Sequence, residues 1–85
     1  MPETVSTWAG LIELSHRRDG ILVIVRPPGG SPFVCILGAI PHDAEVAQLA
    51  IFDPDSPIPY TSVVPSHFRE GLIVEEAGTQ LWEGR

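Results

Sequence analysis

Two apolar runs dominate the first half of the chain, one from Ile21 to Val25 and one from Phe33 to Ile40. A strand with one face in water alternates apolar and polar residues, and neither run does, so both faces of each strand should be covered. β-Branched residues and a short length favour a strand over a buried helix at Ile21–Val25. The turn formers between the runs predict a reversal and an antiparallel pair; they are Pro27, Pro28, Gly29 and Gly30.

Further strands are predicted on both sides of this pair. Asp19 and Gly20 form a reversal signal, so the apolar run from Trp8 to Leu14 is interpreted as the first strand of a hairpin. After Gly71 the residues 72–76 form another apolar strand pattern. A last short strand is predicted from Thr79 to Trp82, with a turn at Gly78.

The segment 43–52 is ambiguous between a helix and a strand. Its alanines, the acids near a helix start at Asp43 and Glu45, and apolar residues at helical spacing favour a short helix at about 43–50. The alternative is a strand that runs into Phe52, and Pro54 ends either element. Residues 53–65 hold four prolines, which forbid a helix and restrict any strand there to the edge of a sheet.

These elements predict one small domain over residues 1–85, mainly β in class. We expect an antiparallel curled sheet, or a barrel-like domain, of four or five short strands with at most one short helix; the alternative is an α+β fold. So short a chain covers doubly apolar strands by curling the sheet, by laying the helix and the proline segment across it, or by pairing with a second copy. We therefore also expect a homo-oligomer.

Charge restricts the class of partner. The formal charge is −6, with five arginines and no lysine. Nucleic-acid and anionic-membrane binders need clustered basic residues, so neither nucleic acid nor a membrane is expected as a partner. An acidic body favours encounter with a basic protein surface. The first basic residue is Arg17 and no apolar run reaches the length of a membrane span, which predicts a cytoplasmic protein.

Three histidines and one cysteine raise the question of a metal site: His16, His42, His67 and Cys35. The histidines are about 25 residues apart and none forms a close pair in sequence, whereas structural zinc sites usually contain such a pair. We therefore expect no metal and no cofactor, with Cys35 as a small apolar core residue.

Other reactive side chains have ordinary structural explanations. Ser15–His16 and Ser66–His67 are adjacent pairs, which is the wrong geometry for a nucleophile and its base on a strand. Asp53 and Asp55 resemble the start of a calcium loop, but Ser, Pro and Ile follow where further ligands and the turn glycine belong, so they are interpreted as turn residues. Glu75 and Glu76 are interpreted as solvated edge charges.

Two features favour binding to another protein. Pro57, Ile58, Pro59 and Tyr60 place an apolar and an aromatic side chain on a stiff, extended backbone, which loses little entropy on docking. Trp8 and Trp82 form one aromatic patch if the first and last strands are neighbours, and indoles are frequent interface anchors. The alternative, which the small size of the domain favours, is that both indoles belong to the core.

The sequence thus predicts a small, acidic, non-enzymatic protein-binding module that acts as an accessory subunit, adaptor or inhibitor and associates with itself. One alternative is a ligand- or metal-binding protein, or an enzyme, that uses His16, His42 and His67. Another is an acidic mimic that blocks a nucleic-acid-binding protein.

Overall fold

A six-stranded antiparallel sheet forms the body of the protein, with strand order β1-β6-β2-β3-β4-β5. The computed structural model describes residues 4–17, 20–53, 55 and 57–77. The elements, in chain order, are β1 (Thr4–Val5), α1 (Trp8–Arg17), β2 (Ile21–Arg26), β3 (Phe33–Leu37), β4 (Ala47–Ile51), β5 (Tyr60–Val63), α2 (Pro65–Arg69) and β6 (Ile73–Glu76). The mainly β, curled-sheet prediction is confirmed, and the sheet is not closed into a barrel.

The two unalternated apolar runs are β2 and β3, paired in antiparallel register from Ile21 opposite Leu37 to Val25 opposite Phe33. Residues at alternate positions share a face, so Val23 and Cys35 lie on one side of the sheet, which we call the helix side. Both side chains are fully buried there. The opposite side, which we call the outer face, carries Leu22, which is buried, and three half-buried apolar residues, Ile24, Val34 and Ile36.

A helix, rather than the predicted first strand, occupies the segment from Trp8 onward. Leu11, Ile12, Leu14 and Ser15 are its buried residues, and they fall on one face of α1 that packs in the same core as Val23. Thr7 caps the helix, because its Oγ1 accepts a hydrogen bond from Gly10 N–H at 3.0 Å. The expectation of a hairpin was therefore wrong, and the cover over the helix side of the sheet is α1.

The close packing between α1 and β1 depends on Gly10. A Cβ placed at Gly10 would lie 3.0 Å from Thr7 Oγ1 and 3.2 Å from Val5 Cγ1. Glycine is a weak helix former, so its presence inside the first turn is explained by this close approach rather than by helix propensity.

The segment 43–50 is not a helix. Ala47–Ile51 forms β4, and its burial alternates at the start, with Ala47 and Leu49 buried and Gln48 exposed. The alternative interpretation, a strand that runs toward Phe52, is confirmed, since Phe52 N–H still donates to Val34 O at 2.9 Å. Tertiary pairing with β3 outweighs the helix propensity of the alanines.

In the described part of the proline segment the strand is β5, and it lies at an edge of the sheet, as predicted. The described residues nevertheless form six strands rather than four or five, and two helices rather than one. The second helix, α2, begins at Pro65, where a proline is tolerated in the first helical turn. The predicted strand after Gly71 is confirmed as β6, and the strand predicted at 79–82 lies outside the described residues.

Side-chain hydrogen bonds connect the end of α1 to the loop after β3. Ser15 is fully buried; its Oγ donates to Ile12 O at 2.7 Å and accepts from Ile40 N–H at 3.0 Å. His16 Nε2 donates to Ile40 O at 2.6 Å. Both backbone groups of Ile40 are therefore satisfied by neighbouring side chains of α1, and the Ser15–His16 pair has a structural role.

Candidate functional site

Three exposed, large apolar residues lie within or next to the proline segment, where β4 ends and β5 begins. Phe52, Ile58 and Tyr60 are 48%, 53% and 58% exposed, and we call this set the apolar corner. The sheet register brings them together, because Ala50 lies opposite Tyr60 and Ile51 N–H donates to Pro59 O at 2.9 Å. Exposed apolar clusters of this kind mark sites of protein or ligand contact.

A groove runs from the apolar corner across the helix side of the sheet. It consists of two adjoining cavities of about 310 and 340 Å³, which share Phe33 and Thr61 in their walls. Ile58 lies in the wall of the cavity near the proline segment, and Leu72 in the wall of the cavity near α2. Each cavity falls within the usual size range of a binding pocket, and most of the lining is apolar.

His67 lines the groove with a defined hydrogen-bonding state. Its Nδ1 accepts a hydrogen bond from Val64 N–H at 3.2 Å, which fixes the first turn of α2. The neutral ring therefore carries its proton on Nε2 and offers a donor there, not a lone pair. In this state the ring is suited to donate a hydrogen bond and is not poised as a general base for Thr61 or another hydroxyl of the groove.

Acidic side chains stand at the two ends of the groove. Asp53 lines the cavity that contains Ile58, and Glu70 lines the cavity that contains His67. Among the described lining residues, no arginine balances them. Asp53 Oδ1 accepts a hydrogen bond from Asp55 N–H at 3.0 Å, which confirms the interpretation of this pair as turn residues. The groove therefore matches a ligand with apolar and positively charged groups.

The edge of the sheet at β5 adjoins this groove through Thr61 and Val63. Because Ile51 N–H donates to Pro59 O, the alternation of an antiparallel ladder directs the N–H and C=O groups of Thr61 and Val63 toward β4. The same alternation directs those of Tyr60 and Ser62 away from the sheet. In the described part of the chain no strand pairs with this side of β5.

The structure separates the residues predicted as a protein-binding site. Pro57, Ile58, Pro59 and Tyr60 are all exposed, and Pro57 and Ile58 line the groove. Trp8 is half-buried and packs against the core, with its ring edge-to-face with Phe68 at a centroid distance of 6.4 Å. Trp82 lies outside the described residues, so the predicted indole patch is not tested.

The structure brings two of the three histidines together. The rings of His16 and His42 stack at a centroid distance of 4.4 Å and an angle of 11°. His16 Nε2 already donates to Ile40 O, and parallel stacked rings do not direct two lone pairs at one ion. Within residues 4–17, 20–53, 55 and 57–77, no three histidine, cysteine or acidic side chains form a group that could hold a metal ion.

Several groove residues were missed by sequence reasoning. Phe33 was assigned only to a strand, His67 was considered only as a metal ligand or as part of a Ser–His pair, and Glu70 was given no role. Pro65 is typical of the first turn of a helix, and that signal could have placed His67 on a short helix beside β5, with Glu70 at the end of it.

Of the helices in the described part of the chain, none is long and apolar enough to cross a membrane. Comparisons with protein-family models, with curated proteins and with solved structures found no match to this chain.

Proposed function

We propose that this protein is a small acidic binding module that docks a protein partner at the apolar corner and the adjoining groove, as an adaptor, accessory subunit or inhibitor. One observation supports this most strongly. Three of the four large apolar side chains that are exposed among the described residues belong to the paired segments where β4 ends and β5 begins, whereas the fourth, Val46, precedes β4. Scattered apolar exposure is ordinary in proteins, whereas a cluster beside a groove indicates a contact surface.

Charge supports a basic partner. The chain carries −6, and Arg17 and Arg26 each lie beside an acid of the same chain, at 3.8 Å from Glu13 and 3.0 Å from Glu75. The acids that line the groove, Asp53 and Glu70, form no such pair among the described residues. A basic segment approaching the groove would gain both steering and contact energy.

Non-catalytic binding is favoured over the enzyme alternative by the state of His67. Its Nδ1 lone pair is engaged by Val64 N–H, so the histidine nearest to the groove hydroxyls lacks an accepting nitrogen in its neutral form. We place the module in the cytoplasm, because its one cysteine is a buried free thiol, as suits a reducing compartment.

The test uses protein fragments from the host genome, displayed on phage and selected on the immobilised full chain. For a fragment that binds, Tyr60→Ala and Ile58→Ala should each weaken binding by tenfold or more, since exposed aromatic and aliphatic anchors carry interface energy. Val46→Ala is the matched control, because Val46 is 49% exposed outside the corner, and it should change affinity less than twofold.

Binding that is equally sensitive to Val46→Ala, or insensitive to all three substitutions, would contradict the proposal. A selection that yields no fragment above background would contradict it as well. Raising the salt concentration should weaken binding, because the proposed partner is basic and contacts exposed acids.

A further inference from the structure

The geometry points to strand addition as the mode of docking: an extended, apolar segment of the partner, with a basic side chain at one end or both, pairs with the outward edge of β5. This inference rests on the proposed function and specifies both the conformation and the chemistry of the ligand. Addition of an extended peptide to a sheet edge is a recurrent mode of peptide recognition, in which main-chain hydrogen bonds give affinity and alternate side chains give selectivity.

The edge offers a short, defined set of hydrogen-bonding groups. Tyr60 and Ser62 direct one N–H and one C=O each away from β4, and both residues are exposed. Beyond Ser62, the next outward N–H is that of Val64, and it already donates to His67 Nδ1 at 3.2 Å. On the other side, β5 itself begins at Tyr60. The open edge therefore fits about three or four residues of a partner strand.

The strand β5 lacks the features that usually prevent an exposed edge strand from pairing with another chain. None of its four residues, Tyr60 to Val63, is charged, and none is a proline. Edge strands in soluble proteins are commonly protected by charged side chains, prolines or bulges placed within the strand. Here the prolines, Pro59 and Pro65, flank β5 and limit its length, while the strand between them remains able to pair.

The surroundings of β5 select the side chains of the added strand. A residue placed opposite Thr61 points to the helix side, where Thr61 lines both cavities of the groove. A residue placed opposite Tyr60 points to the outer face, beside an aromatic ring that is 58% exposed. Both positions favour apolar side chains.

The groove acids select the ends of the added strand. Asp53 shares a cavity with Ile58, which precedes β5, and Glu70 shares a cavity with Val63, which ends it. An acid therefore stands near each end of the edge strand. A strand that carries arginine or lysine beyond its apolar residues would meet opposite charge in either direction along β5.

The probe is a random dodecapeptide library displayed on phage and selected on the full chain. We expect enriched sequences to contain alternating apolar residues flanked by arginine or lysine. Ser62→Pro removes the outward N–H without removing a bond to β4, and it should weaken the selected peptides by tenfold or more. Ser62→Ala keeps that N–H and should change affinity less than twofold.

A second measurement does not depend on the folding of the proline variant. Amide hydrogen exchange of the wild-type chain should slow at Tyr60 and Ser62 when a selected peptide binds, and should stay unchanged at Thr61 and Val63, whose amides are already bonded to β4. N-methylation of every second peptide amide should abolish binding when the methylated amides are those that bond to β5. Methylation of the other set, which points away from β5, should leave binding intact.

Uniform exchange protection, or equal affinity for the Ser62→Pro and Ser62→Ala variants, would overturn strand addition. If Tyr60→Ala still weakens binding in that case, the proposed function stands and only the mode is wrong; if Tyr60→Ala has no effect either, both fail. A dimer of the unliganded chain that Ser62→Pro dissociates would overturn the inference, since the occupant of the edge would be a second copy.

Discussion

Ser15 contributes more to the structure than its size suggests. It is one of two buried polar or charged residues in the described part of the chain, and its hydroxyl joins α1 to Ile40. The sequence shows only a serine beside a histidine, which is uninformative, because the partner is 25 residues away along the chain.

Ser15→Ala should lower the free energy of unfolding by about 1 to 3 kcal/mol, since it leaves the buried N–H of Ile40 without an acceptor. Urea unfolding followed by circular dichroism measures this change. Ser31→Ala, at an exposed loop position, is the control and should stay within about 0.5 kcal/mol of wild type. Equal stability of the two variants would show that the Ser15 hydroxyl does not hold the loop.

Cys35 predicts a pH dependence of stability. Burial raises the pKa of its thiol to about 11 in the folded protein, so the folded state holds this proton more tightly than the unfolded state does. The contribution is fully present below the thiol pKa of the unfolded chain and is lost as the pH rises toward about 11. The free energy of unfolding should therefore fall through this alkaline window, by up to about 1.4 kcal/mol per pH unit.

The comparison for this prediction is the Cys35→Ala variant, measured by urea unfolding at several alkaline pH values. Wild type should lose stability more steeply with pH than the variant does, whatever the difference between them at neutral pH. Parallel curves would show that the thiol ionises equally well in both states.

At the scale of elements, α1 is held by its cap as well as by its buried face. Thr7→Ala removes the acceptor of the Gly10 N–H bond and should destabilise the protein by about 1 kcal/mol. Ser6 is the neighbouring exposed hydroxyl residue, so Ser6→Ala is the matched control, with an expected change within about 0.5 kcal/mol. Thermal unfolding of both variants checks the prediction; a larger loss in Ser6→Ala would contradict the assignment of the cap.

The strands with a strong local signal could be predicted, and those that depend on distant partners could not. β2 and β3 have apolar runs separated by a proline-glycine turn, and both were found. β4 contains alanines that favour a helix in isolation, and only pairing with β3 makes it a strand. The run from Trp8 to Leu14 is too short to distinguish the periodicity of a helix from that of a strand. The residue that caps the helix, Thr7, lies just before the run.

The candidate site was partly predictable for the same reason. Ile58 and Tyr60 could be found because they follow or adjoin prolines in one segment. Phe33 and Glu70 reach the same groove from β3 and from the end of α2, and the sheet order that joins them is a property of the whole fold. No local sequence pattern predicts that Phe33 and Glu70 line the same groove.

At the scale of the whole molecule, self-association stays a prediction. On the helix side α1 covers the centre of the sheet, while Ile24, Val34 and Ile36 are half-buried on the outer face. Sedimentation velocity of the purified chain at high micromolar concentration should show a species larger than one chain. Ile36→Thr should shift it toward the monomer, whereas Val46→Thr should not. A single monomeric species for wild type would contradict the prediction.

The position of β6 determines when the fold can be completed. It lies between β1 and β2, and it pairs Val23 with Glu76 across 53 residues of sequence. While the chain is being synthesised, β1 therefore has no strand to pair with in the described sheet until residues 73–76 have emerged. Contacts so distant in sequence close slowly, so the nascent protein exposes an unfinished sheet edge during translation, when a chaperone could bind it.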